Sequence, residues 1–317
     1  MDALPTVVPE SGLPASVTVY EVGPRDGLQA EKRILDSATK ARLIHRLGAA
    51  GLTVIEATSF VSPRWVPQLG DAAEVFARLD LSRGIRYPVL VPNQRGLERA
   101  VAAGAREIAV FASATETFAR NNLNRGAKDV LALLEPVLAE AARAGMAVRG
   151  YVSMCFGDPW EGHVPFGRVV DTVAWLLDHG CGRVSLGDTI GTGTPGHVRG
   201  LVDALGAAGV EPSSLAVHFH DTYGQALANV HAALQAGIEE FDSSVGGIGG
   251  CPFAGSATGN LATEDLVWML HGLGYDTGID LASLVRTSSW ISDHLRRPNA
   301  SRVATALSRT GAGTRVS

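Results

Sequence analysis

Residues 147–188 read AVRGYVSMCFGDPWEGHVPFGRVVDTVAWLLDHGCGRVSLGD, and this stretch decides the fold. Residues 147–153 (AVRGYVS) form a short run rich in β-branched and aromatic side chains, as a strand requires. Residues 165–180 space their apolar side chains at a helical period and end in Gly180, the usual αL terminator. A second strand-like run, 183–187, follows at once. The stretch is one strand–helix–strand unit, which calls for a parallel sheet.

The same unit repeats outward in both directions. Strand-like runs fall at 17–22 (VTVYEV), 53–58, 86–91, 106–111, 147–153, 183–187, 214–219 and 239–244. Helical patterns lie between them near 37–50, 71–79, 95–103, 127–145, 165–180, 196–208 and 223–236, and another follows near 261–272. Gly51, Gly104, Gly145, Gly180, Gly209 and Gly237 stand where these helices should stop. Eight β-then-α units match an α/β fold of the (β/α)8 TIM-barrel type better than a doubly wound sheet, which usually has fewer strands. No shift in composition divides the chain. The expected organisation is a flanking segment 1–16, a catalytic barrel 17–275, and a C-terminal helix and tail (276–317) packed on the barrel. A helix is expected near 275–300 and a fraying small-residue tail at 304–317.

Composition bounds the function. At 317 residues and 46% hydrophobic content the chain can bury a sizeable core. No apolar run reaches the roughly 18 residues of a membrane span. A net charge of -5 and a pI near 6.0 weigh against nucleic acid or an anionic membrane as partner. An anionic small ligand would need a local cluster of cations. The three cysteines (Cys155, Cys181, Cys251) include no C-x-x-C pair, so no disulfide framework is expected and a reducing compartment is. The first 16 residues hold Asp2, Glu10 and three prolines but no Lys or Arg, unlike a secretory or transit signal. The cytoplasm is the expected location.

In a barrel of this kind chemistry sits at the C-terminal ends of the strands. Polar residues gather there: Arg25 and Asp26 after strand 1, Glu56 in strand 2, Asp188 after strand 6, His218 and His220 ending strand 7, and Cys251 after strand 8. In LAVHFHDTYG (215–224) the two histidines are two apart, so both imidazoles point into the barrel. Buried unpaired they would be costly; they need either a metal or a hydrogen-bonded network supporting a loop. Asp26 and Asn260 could add oxygen ligands, giving an N2O2 set that suits an octahedral divalent ion.

EVGPRDGLQAE (21–31) packs Arg25, Asp26 and Gln29 into one turn, either with solvated charges or with a cation set beside a metal ligand. In the second case Arg25 would stabilise a developing enolate or alkoxide. The glycine-rich SSVGGIGGCPFAGSATGN (243–260) carries Cys251, either a small inert hydrophobe or a protonated thiol able to deliver a proton to carbon. Cys155 and Cys181 read as structural. Glu56, Asp188 and Glu264 could orient ligands or simply bridge elements. Arg149 could meet an acidic substrate group. Asn121, Asn122 and Asn124, with Arg120 and Arg125, form a polar stretch after strand 4 that could contact a phosphate-bearing ligand or be a solvated loop.

Together VGPRDGLQ, IEATSFVSPRWVPQ, RGYVS, SLGDTIGTGTPG, AVHFHDTYGQALAN and GGIGGCPFA…GNLATEDL resemble the hydroxymethylglutaryl-CoA lyases, within the metal-dependent barrel lyases and Claisen-type synthases. The resemblance runs from residue 17 to residue 275. It implies Asp26, His218, His220 and Asn260 as metal ligands, Arg25 as catalytic arginine and Cys251 as proton donor. It places supporting acids at Glu56, Asp188 and Glu264, and substrate contacts at Asn122 and Arg149. It further implies Mg²⁺ or Mn²⁺ as cofactor, an acyl-CoA substrate, a homodimer, and a setting in leucine breakdown. The implied reaction is retro-Claisen cleavage of 3-hydroxy-3-methylglutaryl-CoA, or a close 3-hydroxyacyl-CoA, to acetoacetate and acetyl-CoA. A base, Asp26 or a ligand histidine, would take the hydroxyl proton.

Two rivals share features with this reading. Condensing synthases of the isopropylmalate or citramalate type use the same R-D-G and H-x-H themes, but usually carry Glu-Arg where this chain has Cys251-Pro252. A non-catalytic barrel that binds metal or a CoA ester is the other. Met154 and Asp158 stand where relatives often have cysteines, and the chain ends TRVS without a terminal cysteine. Both departures weigh against regulation by disulfide exchange.

Overall fold

The computed structural model describes residues 5–250 and 259–312. Nine strand segments run parallel: β1 (Thr18–Glu21), β2 (Val54–Ile55), β3 (Thr58–Ser59), β4 (Val89–Leu90), β5 (Glu107–Ser113), β6 (Ala147–Ser153), β7 (Arg183–Asp188), β8 (Leu215–Phe219) and β9 (Glu240–Ser243). β2 and β3 are one strand broken at Glu56 and Ala57. The Glu56 N–H donates to Glu21 on one side (2.9 Å) and the Ala57 N–H to Pro88 on the other (2.9 Å). The sheet order begins on β2 and ends on β3, so it closes into an eight-stranded barrel. All eight expected strands are present.

The helices are α1 (Ser37–Ala49), α2 (Ala72–Phe76), α3 (Gln94–Ala102), α4 (Glu116–Leu123), α5 (Ala127–Arg143), α6 (Phe166–Asp178), α7 (Pro195–Ala207), α8 (Ala226–Gln235), α9 (Thr263–Gly272), α10 (Leu281–Leu295) and α11 (Arg302–Ala312). α1 shows how the sequence writes them. Asp36 accepts the Thr39 N–H at 2.7 Å as N-cap, while Leu43, Ile44 and Leu47 form the buried stripe. Gly51 then turns the chain with φ 103°; a Cβ there would stand 2.0 Å from the Gly278 carbonyl oxygen. Only glycine fits, and that close approach lets Asp280 donate its N–H to Ala50 and seat α10. The other five helix-ending glycines also hold positive φ.

Two segments differ from expectation. Residues 120–123, read as part of a polar loop, form the second half of α4, ended by Asn124 in the αL conformation. Residues 302–312 are helical, although 304–317 was expected to fray. The reason lies far off in sequence. Asp265 on α9 accepts Ser301 Oγ (2.7 Å) and the N–H groups of Arg302 (3.2 Å) and Val303 (2.9 Å), while Ser301 Oγ accepts from Ala304 (2.9 Å). Together these satisfy the free amides of the first turn.

The main apolar core lies between strands and helices, with only small apolar clusters such as Leu90 and Ala109 on the inner side of the barrel. Val148 and Val152 of β6, Val184 and Leu186 of β7, and Val217 and Phe219 of β8 face the helices. The alternate positions point inward and are polar: Arg149, Tyr151, Ser185, His218, Glu240 and Asp242. Barrel interiors are commonly filled by branched apolar residues. A charged interior needs a partner for each group, and its arrangement determines the site. Among the described residues no helix is long and apolar enough to cross a membrane.

Candidate active site

The first element of the site is the turn Gly23–Gly27 after β1. The Val22 carbonyl accepts the N–H groups of Arg25 (3.1 Å), Asp26 (2.7 Å) and Gly27 (3.2 Å), a wide turn of the kind that recurs at functional sites. Gly27 is forced by contact: a Cβ would meet Ile248 at 2.6 Å and Ser244 at 2.7 Å. The turn is fixed from below by Glu21, which accepts from Gly23 (2.7 Å), Val245 (2.9 Å) and Thr263 Oγ1 (2.7 Å). One buried carboxyl thus ties together the segments that follow β1 and β9 and the start of α9.

The turn delivers Arg25 and Asp26 to the barrel mouth. Arg25 pairs with Asp26 Oδ1 at 2.7 Å and Glu56 Oε2 at 3.1 Å, and its guanidinium lies 5.4 Å from the Tyr151 ring centre. Tyr151 also donates its hydroxyl to Glu56 Oε2 at 2.8 Å. Burial alone would favour neutral Arg25, but Glu56 and Asp26 outweigh it and raise its pKa. It is a fixed, dehydrated cation.

Asp26, His218 and His220 each offer a ligand atom, all within 4.8 Å of one another. The histidine rings lie 5.2 Å apart on the inner face of the β8 end, as their spacing requires. Asn260 Nδ2 donates to Asp26 Oδ2 (2.9 Å) and to the Ile248 carbonyl (3.1 Å), which aligns its amide with the cluster. Two atoms bear on whether an ion fits. Asn260 Oδ1 and His220 Nδ1 are buried with no hydrogen-bond partner, an unfavourable state that a cation would relieve at the oxygen. Two imidazoles with a carboxylate and an amide oxygen form a donor set that fits a divalent ion.

Charge within the cluster is already sorted. Burial would raise Asp26, but Arg25, His218 and the Asn260 amide hold its carboxyl down at about 2. Burial, with His218 alongside, pushes His220 down to about 3, leaving a neutral imidazole. Burial also opposes charge on His218, yet its bond to Asp242 and the nearby Asp26 carboxylate keep it above its ordinary value.

The cluster opens into a cleft of about 1420 Å³. Gln29 and Asn122 line it, as do Arg25, Asp26, His218 and His220. Exposed Trp65 and Ile34 stand on its wall with Lys32 and Arg125. Other expected site residues are elsewhere. Arg149 does not line this cleft; it begins low on β6 and is buried in the barrel against Asp242 and Glu240. Asp188 turns into its own loop, accepting the Gly193 N–H at 3.0 Å, and burial raises its carboxyl to about 7. Its Oδ1 is buried without a partner. Glu264 accepts the Gly246 N–H and is raised by burial to about 8. Cys251 lies outside the described residues.

Several residues of the site were not singled out from the sequence: Tyr151, which braces Glu56; Glu21, under the turn; and Asp242, which meets His218. The available signal was a pair of acids at alternate, inward positions of a barrel strand, in EFDSS (240–244). Cys155 and Cys181 are buried free thiols, as expected; burial raises Cys155 far above its usual value and Cys181 to about 12. Met154 holds a left-handed φ of 61° directly after β6, its N–H donating to Thr189 Oγ1 at 2.8 Å.

Comparison with known proteins bears on this geometry. A family model described as HMGL-like matches residues 16–291. The mitochondrial hydroxymethylglutaryl-CoA lyase of Arabidopsis thaliana is 52% identical over 298 residues; the alignment covers 94% of this chain and 64% of that protein's length. The crystal structure of hydroxymethylglutaryl-CoA lyase from Pseudomonas aeruginosa superposes with a TM-score of 0.92 at 49% identity, covering 94% of this chain and 99% of that one. An HMG-CoA lyase from Acenitobacter baumannii, solved in complex with coenzyme A and 3-methylmalate, superposes at 0.86 with 36% identity, covering 95% and 97%.

Proposed function

Since the chain belongs to the HMGL-like family, we propose that it is a carbon–carbon lyase that splits 3-hydroxy-3-methylglutaryl-CoA into acetoacetate and acetyl-CoA. The observation that carries this reading is the meeting of Arg25 with the Asp26–His218–His220 cluster at the foot of a cleft with room for a CoA ester. The relative with bound coenzyme A supports the acyl-CoA part.

Asp26, His218, His220 and Asn260 would hold a divalent ion, for which we favour Mg²⁺ or Mn²⁺. When bound, such an ion supplies Lewis acidity toward the substrate's hydroxyl and carboxylate oxygens. The hydroxyl proton passes to a basic group of this cluster. Asp26 and the ligand histidines are the candidates for that base. As the C2–C3 bond breaks, its electron pair moves onto the thioester and forms the acetyl-CoA enolate, while C3 becomes the ketone of acetoacetate. Arg25 is already desolvated and braced by Glu56, so it can meet the growing negative charge without reorganising. The Cys251 thiol protonates the enolate carbon, and the thiolate it leaves regains the proton taken from the hydroxyl, which completes the balance. Gln29 and Asn122, on the cleft wall, are the proposed substrate contacts. Glu56, Asp188 and Glu264 we assign to holding Arg25 and the loops after β7 and β9.

Placement in a reducing compartment, the cytoplasm in our reading, is supported by the buried unpaired thiols. The homodimer and the setting in leucine breakdown rest on family resemblance; sedimentation tests the first.

The deciding experiment is cleavage of 3-hydroxy-3-methylglutaryl-CoA by protein stripped with chelator, then resupplied with Mg²⁺ or Mn²⁺. Metal-dependent release of acetoacetate and acetyl-CoA is expected. No cleavage with metal present would refute the substrate assignment and direct the test to other 3-hydroxyacyl-CoAs.

A further inference from the structure

We propose that Asp242 is a positioning residue for the metal centre, fixing His218 as the tautomer protonated on Nδ1 so that Nε2 is free to bind the ion. The inference deepens the ligand assignment above and rests on it.

Four observations carry it. His218 and Asp242 are register partners on β8 and β9, with both side chains on the inner face. Asp242 Oδ2 lies 3.1 Å from His218 Nδ1, and its side chain is fully buried. The opposite ring nitrogen, Nε2, faces the cluster, 4.0 Å from Asp26 Oδ2. Asp242 is itself immobilised: Ser185 Oγ donates to Oδ2 at 3.1 Å, and Arg149 Nη2 pairs with Oδ1 at 2.5 Å. Arg149 is clamped in turn, 3.8 Å from the Tyr20 ring centre and 5.0 Å from that of Tyr151, with Glu240 3.0 Å from its other terminal nitrogen. The chain Glu240–Arg149–Asp242–His218 therefore runs through the barrel to the proposed ion.

A carboxylate only accepts hydrogen bonds, so it favours the imidazole form that presents Nδ1–H and disfavours a lone pair there. Carboxylates commonly orient metal-bound histidines through the ring nitrogen that does not ligate. The substitution Asp242→Asn discriminates. Arg149 claims the amide oxygen, leaving the amide N–H₂ to face His218. Nδ1 must then accept, the proton moves to Nε2, and the ligand atom is blocked.

The test uses the full chain and two readouts besides turnover. In metal-free protein labelled with ¹⁵N-histidine, above the histidine titration range, His218 should carry its proton on Nδ1. Its signal is assigned by its loss in His218→Gln. In Asp242→Asn the proton should shift to Nε2, while Ser185→Ala, which spares the His218 contact, should leave it in place. Mn²⁺ affinity, read by electron paramagnetic resonance, should fall roughly 10- to 100-fold in Asp242→Asn. A purely structural role would not move the tautomer. Native His218 protonated on Nε2 would overturn the proposal even if the variant failed to fold. So would a folded Asp242→Asn that binds Mn²⁺ as tightly as the native chain. Absence of Mn²⁺ binding by the native chain would instead overturn the ligand assignment, and the proposal with it.

Discussion

Arg25 touches Asp26, Glu56 and the face of Tyr151, and that crowding makes its loss severe. Arg25→Met should reduce kcat by at least about 10²–10³-fold, the usual cost of removing one preorganised donor. Arg25→Lys should recover little, because one ammonium cannot reach both carboxylates. Tyr151→Phe removes one of the two donors to Glu56 Oε2 and should cost far less, about tenfold in kcat or below, by loosening Arg25. Steady-state kinetics of the three variants would check the order. At this scale the sequence was informative where geometry is local. His218 and His220 converge because a strand repeats every two residues, and Asp26 follows Arg25 in one turn. It was silent where a side chain's direction depends on the barrel. Arg149 lies at the third position of β6, so the same alternation that points it inward leaves it below the mouth, paired with Asp242 rather than lining the cleft. No local pattern distinguishes those heights.

At the scale of elements, the eight strands and the helices between them were legible because period-2 and period-3.6 patterns alternate and glycines stop the helices. α4 was not, since eight mostly polar residues give too short a pattern to tell from a loop. α11 was hidden for another reason: its cap comes partly from Asp265, some 36 positions upstream. That dependence is testable. Asp265→Ala should destabilise the chain by about 1–2 kcal/mol, the range for a lost helix cap, and raise hydrogen exchange selectively over 302–308. Metal binding should be unchanged. Uniform loss of protection would show instead that Asp265 supports the barrel as a whole.

For the whole molecule, the buried acids set how stability responds to pH. Burial raises Glu21 to about 7, Asp188 to about 7 and Glu264 to about 8. Unfolded, they would titrate near their ordinary values of about 4, so between about pH 4 and 8 the folded chain holds more protons than the unfolded one. Stability from these groups is full below that window and is lost as pH rises through it. Asp26 acts oppositely: its depressed value adds stability above about pH 4 that disappears as pH falls toward 2. With metal chelated throughout, and above the range in which buried neutral His220 adds stability as pH rises, the urea midpoint should decline from about pH 6.5 to about pH 8, and Glu264→Gln should flatten the decline. A midpoint rising over that range would refute this account. Restored Mn²⁺ should raise the melting temperature, by an increment equivalent to about 2.7 kcal/mol at a hundredfold excess over Kd. The two internal thiols have a practical consequence. Because Cys155 and Cys181 are sequestered and resist ionisation, a mild alkylating probe applied to the native chain has Cys251 as its remaining target. Labelling stoichiometry then reports on one position, the proposed proton donor.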